Sequence, residues 1–195
     1  LPLVKTRTEG YYEYGDMSIT VGEKKIATAE EFLAIGDSAA ALKKQYVLTE
    51  DLDFGTVGSA DFVVKGTFSG GLKGNGHTIT GLDGVLFEKI NGGSVSDLTI
   101  EGTRLTRNTQ KGALANEIRN AEVQDIKIKD LVIENNADQT GGLAGIISGG
   151  TVKWIAVEKI SARTSNTIGG VAGQFDGRIL EDCIVTGTLE GTIRH

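Results

Sequence analysis

The chain has one proline and one cysteine in 195 residues. A single cysteine, Cys183, excludes an internal disulfide, and together with only two histidines, His77 and His195, it is too little for a zinc site built from Cys and His. With Pro2 the sole proline, almost every residue keeps its backbone N–H, as a long ladder of paired strands requires. Basic residues are also in deficit: 20 Lys and Arg against 26 Asp and Glu leave a net charge of −6. This argues against a nucleic-acid partner, which needs clustered positive charge to displace phosphate counterions. No apolar run approaches the roughly 18–20 residues that span a bilayer, so membrane insertion is not expected. The start LPLVKTRTEG has neither an initiator Met nor the pattern of a signal peptide, and the expectation is a segment of a longer chain.

Glycine, by contrast, is plentiful, with 28 residues, and it recurs. Four segments align: GVLFEKINGGSVSDLTI, GALANEIRNAEVQDIKI, GLAGIISGGTVKWIAV and GVAGQFDGRILEDCIV. Their leading glycines, Gly84, Gly112, Gly142 and Gly170, are spaced by 28, 30 and 28 residues. The apolar series Val95, Val123, Val152 and Leu180 steps by 28, 29 and 28. A fixed period of this size marks stacked units, none of which can bury its apolar face alone.

Each unit holds three strand-sized pieces and nothing with helical spacing; in the second they are 112–118, 123–129 and 131–135. Three strands and three turns per repeat describe one coil of a parallel β-helix, an all-β solenoid with coils of about 28 residues. The inward positions are Val95, Leu98 and Ile100 and their equivalents, ending in Leu180, Cys183 and Val185. Cys183 is thereby read as a small core residue rather than a reactive thiol. V-x-x-L-x-I is not strict alternation, and its break predicts a bend at Asp97, Asp125 and Asp182.

The remaining segments fall outside the repeat. Residues 26–195 form the expected solenoid domain, with coils from about residue 46 and the clearest repeats at 84–193. Within it, Thr28 and Glu31 make a capping box that opens a helical cap over 28–43. Residues 1–25 form an extension with a strand at 17–21 and an aromatic cluster, Tyr11, Tyr12 and Tyr14. These tyrosines and Trp154, which stands where the third aspartate would, are the candidate binding residues. The pair Gly74-Asn75-Gly76 and His77 reads as a tight turn and a structural histidine, since no phosphate-loop lysine or following helix accompanies it.

The aspartate row admits three chemistries. Asp favours turns, so Asp97, Asp125 and Asp182 are read first as structural corners alongside Gly84, Gly112, Gly142, Gly145, Gly170 and Gly173. The alternatives are paired acids of a carbohydrate-active β-helix enzyme and a calcium ladder.

The strings KGALANEI, GGLAGIISGGTV and GGVAGQFDGRI resemble the GLUG repeat, a G-G-L-x-G element followed by a strand. The upstream string IATAEEFLAI…YVLTEDLDF…FSGGLKGNGHTITGL…LFEKINGGSVSDLTI resembles the segment ahead of such repeats in the IgA1-protease family of streptococcal surface zinc metallopeptidases. The resemblance implies a right-handed β-helix on the bacterial cell surface, noncatalytic, working beside a protease domain in substrate positioning or spacing. It implies as partners that catalytic domain and a host protein substrate such as immunoglobulin A. Zinc is implied only for the catalytic domain: this sequence has no H-E-x-x-H motif, and no catalytic or metal-ligating residue carries over. An adhesin or stalk module is the competing noncatalytic expectation.

Overall fold

The structure, a computed structural model, describes residues 22–57 and 61–193, with the backbone of three short strands among the first 21 residues. Those strands, Arg7–Thr8, Tyr11–Tyr14 and Met17–Thr20, form a small antiparallel sheet. The side chains of Tyr11, Tyr12 and Tyr14, and His195, lie outside the described residues.

From Lys24 onward the strands pair in parallel and stack as a β-solenoid of about five turns. One face carries Phe62–Phe68, Val85–Asn91, Ala115–Arg119, Ala144–Ser148 and Ala172–Asp176, each paired with its predecessor in the chain. We call it the glycine face. The second, the valine face, runs through Gly71–Lys73, Ser94–Glu101, Glu122–Lys129, Thr151–Gly169 and Ile179–Ile193. A short third face begins with Arg104–Leu105 and Val132–Glu134 and is continued by Ser161–Arg163. The strand Thr151–Gly169 continues around two corners, with its register to the next coil shifting between Val157 and Ile160 and between Arg163 and Thr167, and no proline interrupts it.

The hydrogen-bonded register corrects the glycine alignment by one residue. Ala115 pairs with Ala144 and Ala144 with Ala172, so Gly112 stacks on Gly141 and Gly169, not on Gly142 and Gly170. The steps become 28, 29 and 28, equal to those of Val95, Val123, Val152 and Leu180. The reason is steric. A Cβ on Gly112 would lie 2.4 Å from Ala144 Cα and 2.6 Å from the Leu143 oxygen; on Gly141 it would lie 2.6 Å from Ala172 Cα and 2.7 Å from the Val171 oxygen. The same clash repeats one coil on, so this column is glycine because one coil's backbone rests on the next. In the doublets, Gly141, Gly142 and Gly169 sit against backbone and Gly170 against the Val185 side chain, and none is a left-handed corner.

Inside, Val95, Leu98 and Ile100, Val123, Ile126 and Ile128, and Val152, Ile155 and Val157 are all buried, as their repeat position predicts. Each such side chain contributes on the order of 1.5–3 kcal/mol by leaving water. The glycine face tapers inward along one column, from Phe87 to Ala115, Ala144 and Ala172. The wide end is filled by aromatics: Phe87 lies 4.8 Å from Phe68 and 6.0 Å from Phe32, and Phe32 meets Phe54 edge-on at 5.7 Å.

Phe32 comes from the cap. Its α-helix is shorter than the capping box and apolar spacing suggest, Ala29–Leu33, followed by 3-10 turns at Ala34–Asp37 and Ala41–Lys43. Thr28 Oγ1 accepts from the Glu31 N–H at 3.2 Å, and the Glu31 carboxylate reaches back to the Ala27 N–H at 2.8 Å. The α-helix stops at Leu33, the 3-10 turn that follows ends on Gly36-Asp37, a poor helical pair, and Ser38 is extended. Phe32 and Ile35 are nonetheless fully buried and close the first coils.

Candidate functional site

The bend expected at the aspartates is a left-handed residue in every coil. Asp97, Asp125 and Asp182 have φ of 54°, 54° and 51°, and Trp154 has φ of 55° in the same column. This conformation turns the strand so that Val95 and Leu98, three residues apart, both face the core. Asp is among the few L-residues that visit it readily, which accounts for three of the four. In the preceding coil Gly74-Asn75-Gly76 does the same work: the His77 N–H reaches the Gly74 oxygen at 2.9 Å, with φ positive at both Asn75 and Gly76. Two further left-handed columns were not read from the sequence, Gly92, Asn120 and Gly149 at one corner and Gly102, Asp130 and Lys159 at another. The recurrence of Gly or Asn/Asp at a 28–29-residue step was the available signal.

Trp154 is the exception in its column. A bulky side chain in this region costs on the order of 1–3 kcal/mol. Its indole is 45% exposed, with Lys153 Nζ 4.1 Å from the ring centroid, and its Nε1 donates to Asp182 Oδ2 at 3.2 Å. Beside it runs a groove of about 350 Å³ along the outside of the valine face, lined by Asp97 and Asp125 on one side and Thr99, Lys127 and Ala156 on the other. Lys127 Nζ lies 3.7 Å from Glu158. The carboxylates of Asp97 and Asp125 have no hydrogen-bond or ion-pair partner among the described residues, so they are corner residues by backbone conformation and not by local capping.

The structure therefore gathers Asp97, Asp125 and Trp154 on one surface, with Asp182 hydrogen-bonded to the indole, and leaves the repeat glycines on another. Thr99, Lys127 and Ala156 share a repeat position without sharing a residue type, so they complete the groove without a sequence signature. Among the described residues no three His, Cys, Asp or Glu side chains converge as metal ligands. His77 Nδ1 sits 3.1 Å from Asp51 Oδ1, which also accepts from the Thr78 N–H at 2.8 Å. These bonds, the backbone one first, hold the Asp51 carboxyl below its ordinary range. Cys183 stacks on Ile155, and burial pushes its thiol up. On the glycine face, burial of Glu117 works against its charge, but Lys89 at 2.7 Å and Arg119 outweigh it and hold the carboxyl below the usual value.

Residues 35–130 match the family model of the N-terminal region of the M26 IgA1-specific metallo-endopeptidases. Over 127 residues the chain is 28% identical to the immunoglobulin A1 protease of Streptococcus pneumoniae, covering 59% of this chain and 6% of the relative. Over 130 residues it is 28% identical to the immunoglobulin A1 protease of Streptococcus sanguinis, covering 60% and 7%. The chain thus aligns with only a small part of these relatives' length. No solved structure matches it. From the cap through the coil that ends at Asp130, this solenoid is similar to the N-terminal region of IgA1-specific metallo-endopeptidases.

Proposed function

We propose that the solenoid is a noncatalytic accessory segment of a bacterial cell-surface zinc metalloprotease, where it positions a host protein substrate, such as immunoglobulin A, for the catalytic domain. The observation that carries this reading is the match of residues 35–130 to the N-terminal region of that protease family. The architecture supports it: a continuous parallel ladder is stiff, and its outer faces offer a long surface at a fixed distance from whatever it is joined to. The GLUG-like pattern G-G-L-x-G gains a physical sense here, since its first glycine is where adjacent coils touch.

The test uses the whole protease that carries this segment. Replacing residues 26–193 by an unrelated β-solenoid of equal length is expected to leave cleavage of a short peptide unchanged and to slow cleavage of intact immunoglobulin A1. Full activity on the intact substrate after that replacement overturns positioning and leaves a spacer. Zinc-dependent proteolysis by the isolated 195-residue chain overturns the noncatalytic assignment altogether.

A further inference from the structure

We infer that the groove beside Trp154 is a binding site for a neutral oligosaccharide. The feature that requires explanation is Trp154 itself. The other coils place Asp, or the turn Gly74-Asn75-Gly76, at this corner, residue types that tolerate a left-handed backbone, while Trp154 has φ of 55° and 45% of its surface in water. Neither the fold nor the core gains from it: the inward neighbours Val152 and Ile155 are buried as in the other coils. Strain kept without a packing return is a mark of a functional position.

The surroundings specify the ligand. An exposed indole offers a flat apolar face with a wet edge, which suits a ring that is apolar on its C–H face and hydroxylated around its rim. Lys153 covers the ring at 4.1 Å but does not line the groove, so the groove side of the indole is open. The Trp154 Nε1–Asp182 bond fixes the ring's orientation in advance. Below it the unpartnered carboxylates of Asp97 and Asp125 supply acceptors, one per coil, about 4.8 Å apart as the strands are. Thr99 and Lys127 on the opposite wall supply donors. An extended peptide advances about 3.3 Å per residue and would fall out of step with this ladder. A uronic or sialic acid chain would meet two uncompensated negative charges. Hydroxyl groups satisfy the acceptors without either penalty, and an open groove along the outside of the fold takes a chain better than a small molecule.

Trp154 is the chain's only tryptophan, so its emission reports on this site alone. The 195-residue chain is titrated with cellohexaose, maltohexaose and chitohexaose, with hexagalacturonate and hexalysine as comparators. At least one neutral hexasaccharide is expected to shift the emission saturably, and hexagalacturonate to leave it unchanged. Trp154→Asn, which restores a residue suited to the left-handed corner, is expected to melt no lower than the parent and to lose at least about tenfold in affinity by calorimetry. Asp125→Asn keeps the backbone conformation and is expected to weaken binding severalfold. No response to any neutral oligomer, response to hexalysine or hexagalacturonate alone, or unchanged calorimetric affinity in Trp154→Asn each overturns the proposal.

Discussion

The two ends of the solenoid carry the same kinds of inward residue and treat them differently. At the N-terminal end Ile26, Phe32 and Ile35 are fully buried, because the short helix and its 3-10 turns lie across the first coils. At the C-terminal end of the described residues, Phe175, Leu180 and Val185 are 37%, 40% and 37% exposed. Yet Leu180 continues the column of Val95, Val123 and Val152, and Phe175 that of Ile90, Ile118 and Ile147, all of which are buried. The residues are apolar at both ends, and no described coil lies over Phe175, Leu180 and Val185. Burial in this fold is a property of neighbouring coils, and a five-residue helix holding one phenylalanine can stand in for a coil.

The contrast is broken most directly at Phe32. Its ring contacts Phe54 and Phe87, so Phe32→Ala removes a fully packed side chain and is expected to cost about 3–5 kcal/mol in urea unfolding. Leu180→Ala, the same kind of truncation at the open end, is expected to cost under about 1 kcal/mol, since much of Leu180 is already in water. Equal losses at the two positions would show that the cap is not what closes the core.

A second comparison sets the stacked middle against the corners. In Gly112→Ala the new methyl would sit 2.4 Å from Ala144 Cα, where only backbone can move, and the expected cost is about 1–3 kcal/mol. Gly92→Ala meets nothing within 4 Å and carries only the strain of its left-handed backbone at φ of 70°, about 1 kcal/mol. Thermal unfolding of both variants ranks them. If Gly92→Ala proves the worse, the glycine column is not set by contact between coils.

Sequence legibility followed the same division. The inward V-x-x-L-x-I residues were readable because burial repeats with the coil and admits few residue types. The corner at Asp97 and Asp125 was readable as an interruption of alternation, though the carboxylates prove free and not locally bonded. The glycine register slipped because Gly141-Gly142 and Gly169-Gly170 each offer two candidates for one position, and only the hydrogen-bonded pairing of Ala115, Ala144 and Ala172 chooses between them. The helix was overextended because Ala39 to Leu42 carries helical propensity that tertiary packing against the Phe62–Phe68 strand overrides. The groove was half visible: Trp154 stood out, but Thr99, Lys127 and Ala156 meet it only through folding.

The smallest expected effect separates a sheltered ion pair from one at the open end. Glu117 keeps only 19% of its side chain exposed and pairs with Lys89 at 2.7 Å, whereas Arg163 and Glu190, 3.6 Å apart, are 84% and 62% exposed. Because the folded carboxyl of Glu117 is held below its ordinary value, its contribution is fully present above the unfolded value, about 4.3, and is lost as pH falls through the folded one. Glu117→Gln is therefore expected to lower stability at pH 7 by up to about 1 kcal/mol and to converge on the parent at low pH. Glu190→Gln, whose partner Arg163 is 84% exposed, is expected to lower stability at pH 7 by under about 0.5 kcal/mol, because water screens that pair. Urea midpoints from pH 7 down to about pH 3 distinguish the two variants. A gap for Glu117→Gln that stays constant across this range would trace the loss to packing of the partly buried carboxyl and not to its charge.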